Sequence, residues 1–327
     1  MGDAGIHLFV GFKGLDIDEE LKSLLKEYQP AGVVLFKRNI EGREQLESLV
    51  ASAQAFSMER LGRPLLFAID QEGGSVQRLA AHYTPLPSAQ ELSEKGPEAV
   101  VRWAATCAAD LRKIGVQIDF APVLDIVTRG EASFMESRSF GETPEEVSKL
   151  GGVWIETLQE NGISATAKHF PGLGRAQLDP HHFASVISGE REEDFRFDLV
   201  PFEAAVSAGV HCMMTSHAVY RSVDPQLPAT FSREICRTRL RDQMGFHGVL
   251  FADDLDMAAI SENYSPEEAA ALGLACSIDF FLLCQRSESI EPMHRALSDR
   301  LREDSLLQAF HRESVQRIEK LIEFHRR

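Results

Sequence analysis

The sequence predicts an α/β fold, a single-domain (β/α)8 barrel (TIM barrel) spanning residues 1–327. Short apolar runs alternate with helical patterns eight times, and no Ser/Gly/Pro-rich linker or shift in composition divides the chain. Regular alternation of strand and helix is typical of a parallel sheet, and eight such units close into a barrel of about this length. An open, doubly wound sheet is the structural alternative.

The predicted strands are eight apolar runs, most of them β-branched or rich in phenylalanine. Their hydrophobicity is nearly continuous, which indicates parallel strands buried on both faces. The runs begin near Gly5, Ala31, Pro64, Gln117, Ser164, His211, Gly248 and Ile278.

The intervening segments carry helix signals, and two helices have clear start sites. Thr143 and Ser265 are each followed by Pro-Glu-Glu, so a hydroxyl stands at the N-cap and proline at the first helical position. From Leu301 to the C-terminus the spacing predicts one closing amphipathic helix. Its apolar face is predicted to contain Leu306, Leu307, Phe310, Ile318, Leu321 and Ile322.

Charge and cysteine usage narrow the class of protein. The formal net charge is −16, and no basic stripe interrupts it, so nucleic acid and anionic membranes are not expected as partners. We expect no secretion signal and no membrane anchor, because no apolar run reaches the roughly 18 to 20 residues that cross a bilayer. The five cysteines are scattered in apolar stretches, which predicts reduced core thiols and a cytoplasmic protein.

Ionisable residues stand where the predicted strands end. In a barrel of this kind the active site lies at the C-terminal ends of the strands. Five runs end in such residues: Asp70-Gln71-Glu72-Gly73-Gly74, Asp125, Lys168-His169, Ser216-His217 and Asp253-Asp254. Glycoside hydrolysis requires one carboxylate at the anomeric carbon and a second group that protonates the leaving oxygen. Several carboxylates qualify, so the residues alone leave the assignment open.

Four spaced motifs resemble one family. They are Lys168-His169-Phe170-Pro171-Gly172-Leu173-Gly174 with Asp179-Pro180-His181, Asp70 to Arg78 (DQEGGSVQR), Arg138-Ser139-Phe140-Gly141 and Phe251-Ala252-Asp253-Asp254-Leu255. Together they resemble family 3 glycoside hydrolases of the β-N-acetylglucosaminidase type, over most of the chain. A set of four motifs in order is far more specific than any one of them.

The resemblance implies a role for each matching residue. Asp253 would be the nucleophile of a retaining, exo-acting β-N-acetylhexosaminidase, His181 its acid/base, and Asp179 the partner that orients His181. The residues implied to hold the terminal sugar are Asp70, Arg78, Arg138, Lys168 and His169. We add His217, which follows strand six, as a further candidate. The implied substrates are small β-linked amino-sugar oligosaccharides, such as muropeptide fragments of peptidoglycan recycling or chitooligosaccharides.

Several assignments have alternatives. Asp254 neighbours Asp253, but adjacent strand residues face opposite ways, so only one is expected to point into the site. His182 stands beside His181, and Lys168 could instead form a Schiff base. Leu173 and Pro180 depart from the family pattern, in which histidine and serine are usual at these positions.

We expect no metal and no cofactor, because the chain lacks a closely spaced metal-ligand motif and a complete phosphate-binding or dinucleotide fingerprint. Three other functions remain open. They are a β-glucosidase or xylosidase of the same family, an N-acetylglucosamine phosphorylase, and a sugar-binding barrel without catalysis. A phosphosugar isomerase or aldolase is disfavoured, because no glycine-rich phosphate loop follows strands seven and eight.

Overall fold

A closed barrel of eight parallel strands forms the centre of the molecule in the computed structural model, which describes residues 4–130, 135–175, 186–187 and 191–326. The strands are β1 (Leu8–Gly11), β2 (Gly32–Leu35), β3 (Leu66–Ile69), β4 (Ile118–Asp119), β5 (Ser164–Phe170), β6 (Cys212–Thr215), β7 (Val249–Asp254) and β8 (Phe280–Leu283). Each strand pairs with its neighbours in the chain, and β1 pairs with β8 to close the barrel. The predicted fold class is therefore confirmed, with the start of β1 displaced most, from Gly5 to Leu8.

Helices surround the barrel. They are α1 (Glu19–Tyr28), α2 (Arg43–Leu61), α3 (Ala89–Lys95), α4 (Pro97–Ile114), α5 (Pro144–Glu160), α6 (Glu192–Ser207), α7 (Ala258–Ser261), α8 (Pro266–Ala275), α9 (Ile290–Glu303) and α10 (Ser305–Phe324), with a π-helix over Glu234–Gln243. The two predicted helix starts are confirmed: the side chains of Thr143 and Ser265 accept hydrogen bonds from the backbone N–H of the third helical residue.

The C-terminal segment departs from its prediction. Leu301 belongs to α9, and Asp304 caps a separate helix, α10, by accepting from two backbone N–H groups. The Leu306 side chain is exposed, so the prediction that it belongs to the apolar face was wrong. The buried residues of α10, which include Leu307, Phe310, Ile318 and Leu321, follow the helical repeat, and Leu306 lies outside the face that they form.

Aromatic side chains fill the barrel interior. The rings of Phe9, Phe120, Phe251 and Phe280 contact one another with centroid distances between 4.7 and 5.2 Å. Ile318, Leu321 and Ile322 of α10 join this cluster. Since these α10 residues pack into the interior cluster, the C-terminal helix covers one end of the barrel.

The fourth predicted run forms only a short strand. Regular pairing ends at Asp119, and Pro122, which has no N–H to donate to a ladder, lies in the irregular stretch that follows. One bridge, between Val123 and Lys168, returns the chain to β5. Asp125 is thereby brought beside the end of β5.

Two other expectations concern the whole chain. All five cysteines are buried and free, which confirms the prediction of reduced core thiols. Across the ranges that the structure describes, no helix combines the length and apolar character needed to cross a bilayer.

Candidate active site

A cavity opens at the C-terminal ends of the barrel strands. It encloses about 1140 Å³ of empty space, its open mouth included, which compares with roughly 300 to 1,000 Å³ for small-molecule sites. Its lining contains Asp253 and all five side chains that the motifs imply for sugar binding: Asp70, Arg78, Arg138, Lys168 and His169. The structure thus brings together residues that lie up to 183 positions apart in the chain (253 − 70).

Five of the lining side chains form one chain of ion pairs. Arg78 Nη2 donates to Asp70 Oδ2 at 2.9 Å, and Lys168 Nζ donates to Asp70 Oδ1 at 2.9 Å. Lys168 Nζ also lies 2.7 Å from Glu72 Oε1. Arg138 donates two parallel hydrogen bonds of 2.8 Å to Glu72, from Nε to Oε2 and from Nη2 to Oε1. Three cations therefore face two carboxylates, and each side chain is fixed by its neighbours.

These pairs keep the carboxylates ionised. Burial alone would raise the pKa of Asp70, but the charges of Lys168 and Arg78 outweigh it and hold the pKa below its ordinary value. For Glu72 burial acts in the same way, and Arg138 and Lys168 nevertheless lower the pKa to about 2. Both side chains are therefore available as hydrogen-bond acceptors at neutral pH.

The surroundings of Lys168 decide between its two possible roles. Burial would lower its pKa, but Asp70 and Glu72 outweigh burial and raise it, so the side chain stays an ammonium ion. A Schiff base requires the neutral amine. An ammonium group has three donors, and among the described residues Asp70 and Glu72 accept two of them. The arrangement therefore favours a hydrogen-bond donor over a Schiff base.

Two adjacent aspartates face the cavity at the end of β7. Asp253 Oδ1 accepts from the backbone N–H of Asp254 at 2.8 Å, and both side chains are part of the lining. That only one of the two side chains points toward a substrate stays a prediction; the pairing of β7 with β8 shifts register between Phe251 and Asp254. An irregular strand loses the strict alternation of its side chains.

Asp254 nevertheless has the structural function considered for it. Its Oδ1 accepts from the backbone N–H groups of Asp256 and Cys284, both at 3.1 Å. Burial and the nearby charge of Asp256 raise the pKa of Asp254 to about 7. Asp256 Oδ2 in turn accepts from the backbone N–H of Gln285 and of Arg286. Both side chains tie the segment after β8 to the end of β7.

His217 occupies a different position from the other candidates. Its Nδ1 lies 2.8 Å from Thr230 Oγ1, and its Nε2 lies 3.2 Å from the backbone oxygen of Asp254. The ring is buried and is not among the described side chains that line the cavity. These contacts fit a ring that satisfies a strand-end carbonyl. A role for His217 in sugar binding stays a prediction.

Part of the predicted machinery lies outside the described residues, namely Asp179, Pro180, His181 and His182. Leu173, the other departure from the family pattern, is described and buried, and its backbone N–H donates to Asp125 Oδ1 at 2.6 Å. The leucine side chain packs in the core formed by the strands and outer helices.

Sequence reasoning missed several residues of this site. Glu72 was quoted within a motif and given no role, although its spacing of two from Asp70 was a signal that both face one side. Asp125 was noted only as a residue that follows a strand. Phe36, Met214 and Met257, which give the cavity apolar walls, carried no signal in the sequence.

No group of three or more His, Cys, Asp or Glu side chains that could hold a metal ion occurs within the described ranges.

Fold and cavity together define a class of protein: a (β/α)8-barrel enzyme with a charged, sugar-sized cavity that contains several carboxylates. Residues 7–321 match the model of the "Glycosyl hydrolase family 3 N terminal domain", so the chain belongs to glycosyl hydrolase family 3. A protein of Thioalkalivibrio sulfidiphilus named "Beta-hexosaminidase" is 36% identical over 301 residues, which cover 89% of this chain and 84% of that protein.

Solved structures agree with this membership. The family 3 β-N-acetylglucosaminidase of a Paenibacillus species superposes with a TM-score of 0.94 at 32% identity over 99% of this chain. This chain spans 62% of the length of that enzyme. The β-N-acetylhexosaminidase of Beutenbergia cavernae superposes with a TM-score of 0.91 at 28% identity, covering 98% of this chain and 97% of that one.

Proposed function

We propose that this chain is a retaining, exo-acting β-N-acetylhexosaminidase that removes a terminal β-linked N-acetylglucosamine from small cell-wall or chitooligosaccharide fragments. In this proposal Asp253 attacks the anomeric carbon, and His181, oriented by Asp179, is the acid/base. The observation that carries the proposal is the cavity itself, in which Asp253 faces the ion-pair chain of Asp70, Lys168 and Glu72.

The chemistry of the cavity supports this reaction. Ionised Asp70 and Glu72 accept hydrogen bonds from sugar hydroxyls, and Lys168, Arg78 and Arg138 donate them. A sugar held in this way has its anomeric carbon fixed relative to the rigid end of β7, where Asp253 lies. Attack by the carboxylate breaks the glycosidic bond and forms a glycosyl ester, while His181 protonates the leaving oxygen. Water, which gives a proton to His181, then displaces the carboxylate, so two inversions retain the β configuration.

The names of the relatives support the choice of sugar. The Thioalkalivibrio protein is named a β-hexosaminidase, and the Paenibacillus and Beutenbergia enzymes are described as acting on N-acetylglucosaminides and N-acetylhexosaminides. We infer the same substrate class for this chain. The net charge of −16 disfavours binding to anionic polymers, and the free, buried cysteines favour a cytoplasmic reaction.

A panel of chromogenic β-glycosides that share one aglycone and differ at C2 and C4 tests the proposal. We expect the N-acetylglucosaminide to be cleaved far faster than the glucoside, and Asp253→Asn to abolish both activities. Equal or reversed rates would place the enzyme with the glucosidases. Repeating the assay with phosphate separates hydrolysis from phosphorolysis, since only a phosphorylase releases the sugar 1-phosphate.

The same assay tests the expected independence from metal. All the proposed groups are protein side chains, so a chelator is expected to leave the rate unchanged. A loss of activity that a divalent ion restores would contradict this mechanism.

A further inference from the structure

We propose that Asp125 is a positioning residue with two functions: it orients His169 toward the terminal sugar, and it fixes the start of the segment that leads to Asp179 and His181. The proposal rests on the roles given above to His169 and His181. It adds a residue that links sugar binding to protonation of the leaving group.

The two oxygens of Asp125 have different partners. Oδ2 lies 2.7 Å from Nδ1 of His169, and Oδ1 accepts from the backbone N–H of Leu173 at 2.6 Å. The backbone N–H of His169 approaches both oxygens, at 3.3 and 3.4 Å. The side chain is fully buried. One carboxylate therefore joins the ring of His169 in the cavity to the backbone of Leu173, four residues further along.

The contact with His169 determines which way its ring faces. A carboxylate oxygen accepts hydrogen bonds, so the ring nitrogen that faces it, Nδ1, carries a proton. Nε2 is then the ring atom left for a ligand, and His169 is part of the cavity lining. An aspartate at Nδ1 holds the tautomer and the orientation of a histidine in other sites as well.

The contact with Leu173 belongs to a wider anchor at the start of the segment. Tyr220 Oη donates to the backbone oxygen of Gly172 at 2.7 Å, and the Leu173 side chain is buried. Gly174 lies so close to Ile126 that a Cβ there would come within 1.8 Å of its backbone oxygen. Asp179 follows Leu173 by six residues and His181 by eight.

The isosteric variant Asp125→Asn separates this proposal from a simple structural role. An amide that donates to His169 Nδ1 places the ring proton on Nε2, and a neutral oxygen holds the N–H of Leu173 less strongly. We expect binding of N-acetylglucosamine to weaken roughly tenfold. We also expect cleavage to slow more for a poor leaving group, such as an alkyl glycoside, than for an activated aryl glycoside.

Three variants serve as controls. His169→Ala removes the first function alone, so it should weaken sugar binding without selectivity for the leaving group. Tyr220→Phe loosens the same anchor without touching His169, so it should show the selectivity with sugar binding intact. Ser139→Ala removes a hydroxyl that donates to the backbone oxygen of Asp125, and it should change neither property.

The outcomes are distinct. If Asp125→Asn slows both substrates by one factor, or if its selectivity disappears in the His169→Ala background, the second function is refuted. Unchanged affinity for N-acetylglucosamine refutes the first function. If Asp125→Asn does not fold, His169→Ala and Tyr220→Phe test the two functions separately, with the expectations given above. A wild-type protein that cleaves no β-N-acetylglucosaminide refutes the proposed function instead.

Discussion

The two ends of the barrel contain similar chemistry with different access. At the open end, Asp70 and Glu72 pair with three cations, Arg78, Arg138 and Lys168, all of which line the cavity. At the closed end, beneath α10, Asp279 is fully buried and accepts from Arg241 and Arg317. Buried ion pairs alone therefore do not identify a site. What distinguishes the open end is that its charged groups line a cavity.

Histidines show the same contrast. At the closed end His7 Nε2 lies 2.7 Å from His311 Nδ1, and the hydroxyl of Ser164 lies within 2.9 Å of ring nitrogens of His211 and His325. These rings join the barrel to its C-terminal region. At the open end His169 has one nitrogen on Asp125 and lines the cavity. Groups at the closed end are thus expected to affect stability, and groups at the open end are expected to affect activity.

The largest effect is expected at Asp253. Asp253→Ala should lower kcat by about 10³-fold or more, because the attacking group is lost. The free energy of unfolding should stay within about 1 kcal/mol of wild type, since the side chain faces a cavity. Steady-state kinetics and urea denaturation measure the two quantities. A variant that unfolds more easily and keeps its kcat would mean that Asp253 affects stability and not catalysis, which contradicts this prediction.

At the closed end the opposite result is expected. Asp279→Ala leaves Arg241 and Arg317 without their carboxylate and should destabilise the protein by about 3 to 5 kcal/mol. The kcat/KM of the folded fraction at 25 °C should be unchanged. Glu313→Ala, which breaks the exposed pair with Arg237, is the control and should cost less than about 1 kcal/mol. A lower kcat/KM in the Asp279 variant would mean that the closed end of the barrel also affects activity, which contradicts this prediction.

A matched pair of cation deletions sharpens the comparison. Lys168→Met should weaken binding of N-acetylglucosamine by roughly 10- to 100-fold, because charged hydrogen bonds contribute about 1.5 to 3 kcal/mol. Arg317→Met also removes a cation from a buried carboxylate, and it should leave this affinity unchanged while lowering stability. Calorimetric titration with the sugar measures the affinities. Equal affinities for both variants would contradict a binding role for Lys168.

The smallest effect is expected in the pH dependence of stability. Burial lowers the pKa of His325 to about 4, so only the unfolded chain takes up its proton between pH 6.5 and 4, and stability falls as the pH falls. Burial raises the pKa of Asp119, at the open end of β4, to about 7. Only the folded chain therefore holds this proton between pH 4 and 7, and stability falls as the pH rises through this range.

Two variants separate these slopes. His325→Gln should flatten the acid side of the stability curve, and Asp119→Asn should flatten the neutral side, each by on the order of 1 kcal/mol. Urea denaturation at pH 4.5, 6 and 7.5 measures these changes in the free energy of unfolding. Slopes of the same sign at both ends would mean that burial does not dominate these pKa values.

The fold followed from the sequence because its signals are local. Continuous apolar runs and the caps at Thr143 and Ser265 act over a few residues, so the eight strands and two helix starts could be predicted from the sequence. The meeting of strand-end residues such as Asp70 and Lys168 could also be predicted, because a closed barrel brings the C-terminal ends of its strands together. The split of the C-terminal helix was missed, although Asp304 is a good N-cap residue.

Side-chain contacts between residues far apart in the sequence could not be predicted. Glu72 and Arg138 lie 66 residues apart, and Asp125 and His169 lie 44 apart, and nothing local in the sequence marks either pair. The shift in strand register between Phe251 and Asp254 is likewise not marked in the sequence. These features depend on how the closed barrel aligns its strands.

Trapping of the covalent intermediate tests the central claim most directly. A 5-fluoro glycosyl donor of N-acetylglucosamine with a good leaving group slows breakdown of the ester more than its formation, so mass spectrometry of peptides can locate the sugar. We predict the label on Asp253, with the β-anomer released first from an ordinary substrate. A label on Asp254 would move the nucleophile by one residue, and release of the α-anomer first would contradict the double displacement altogether.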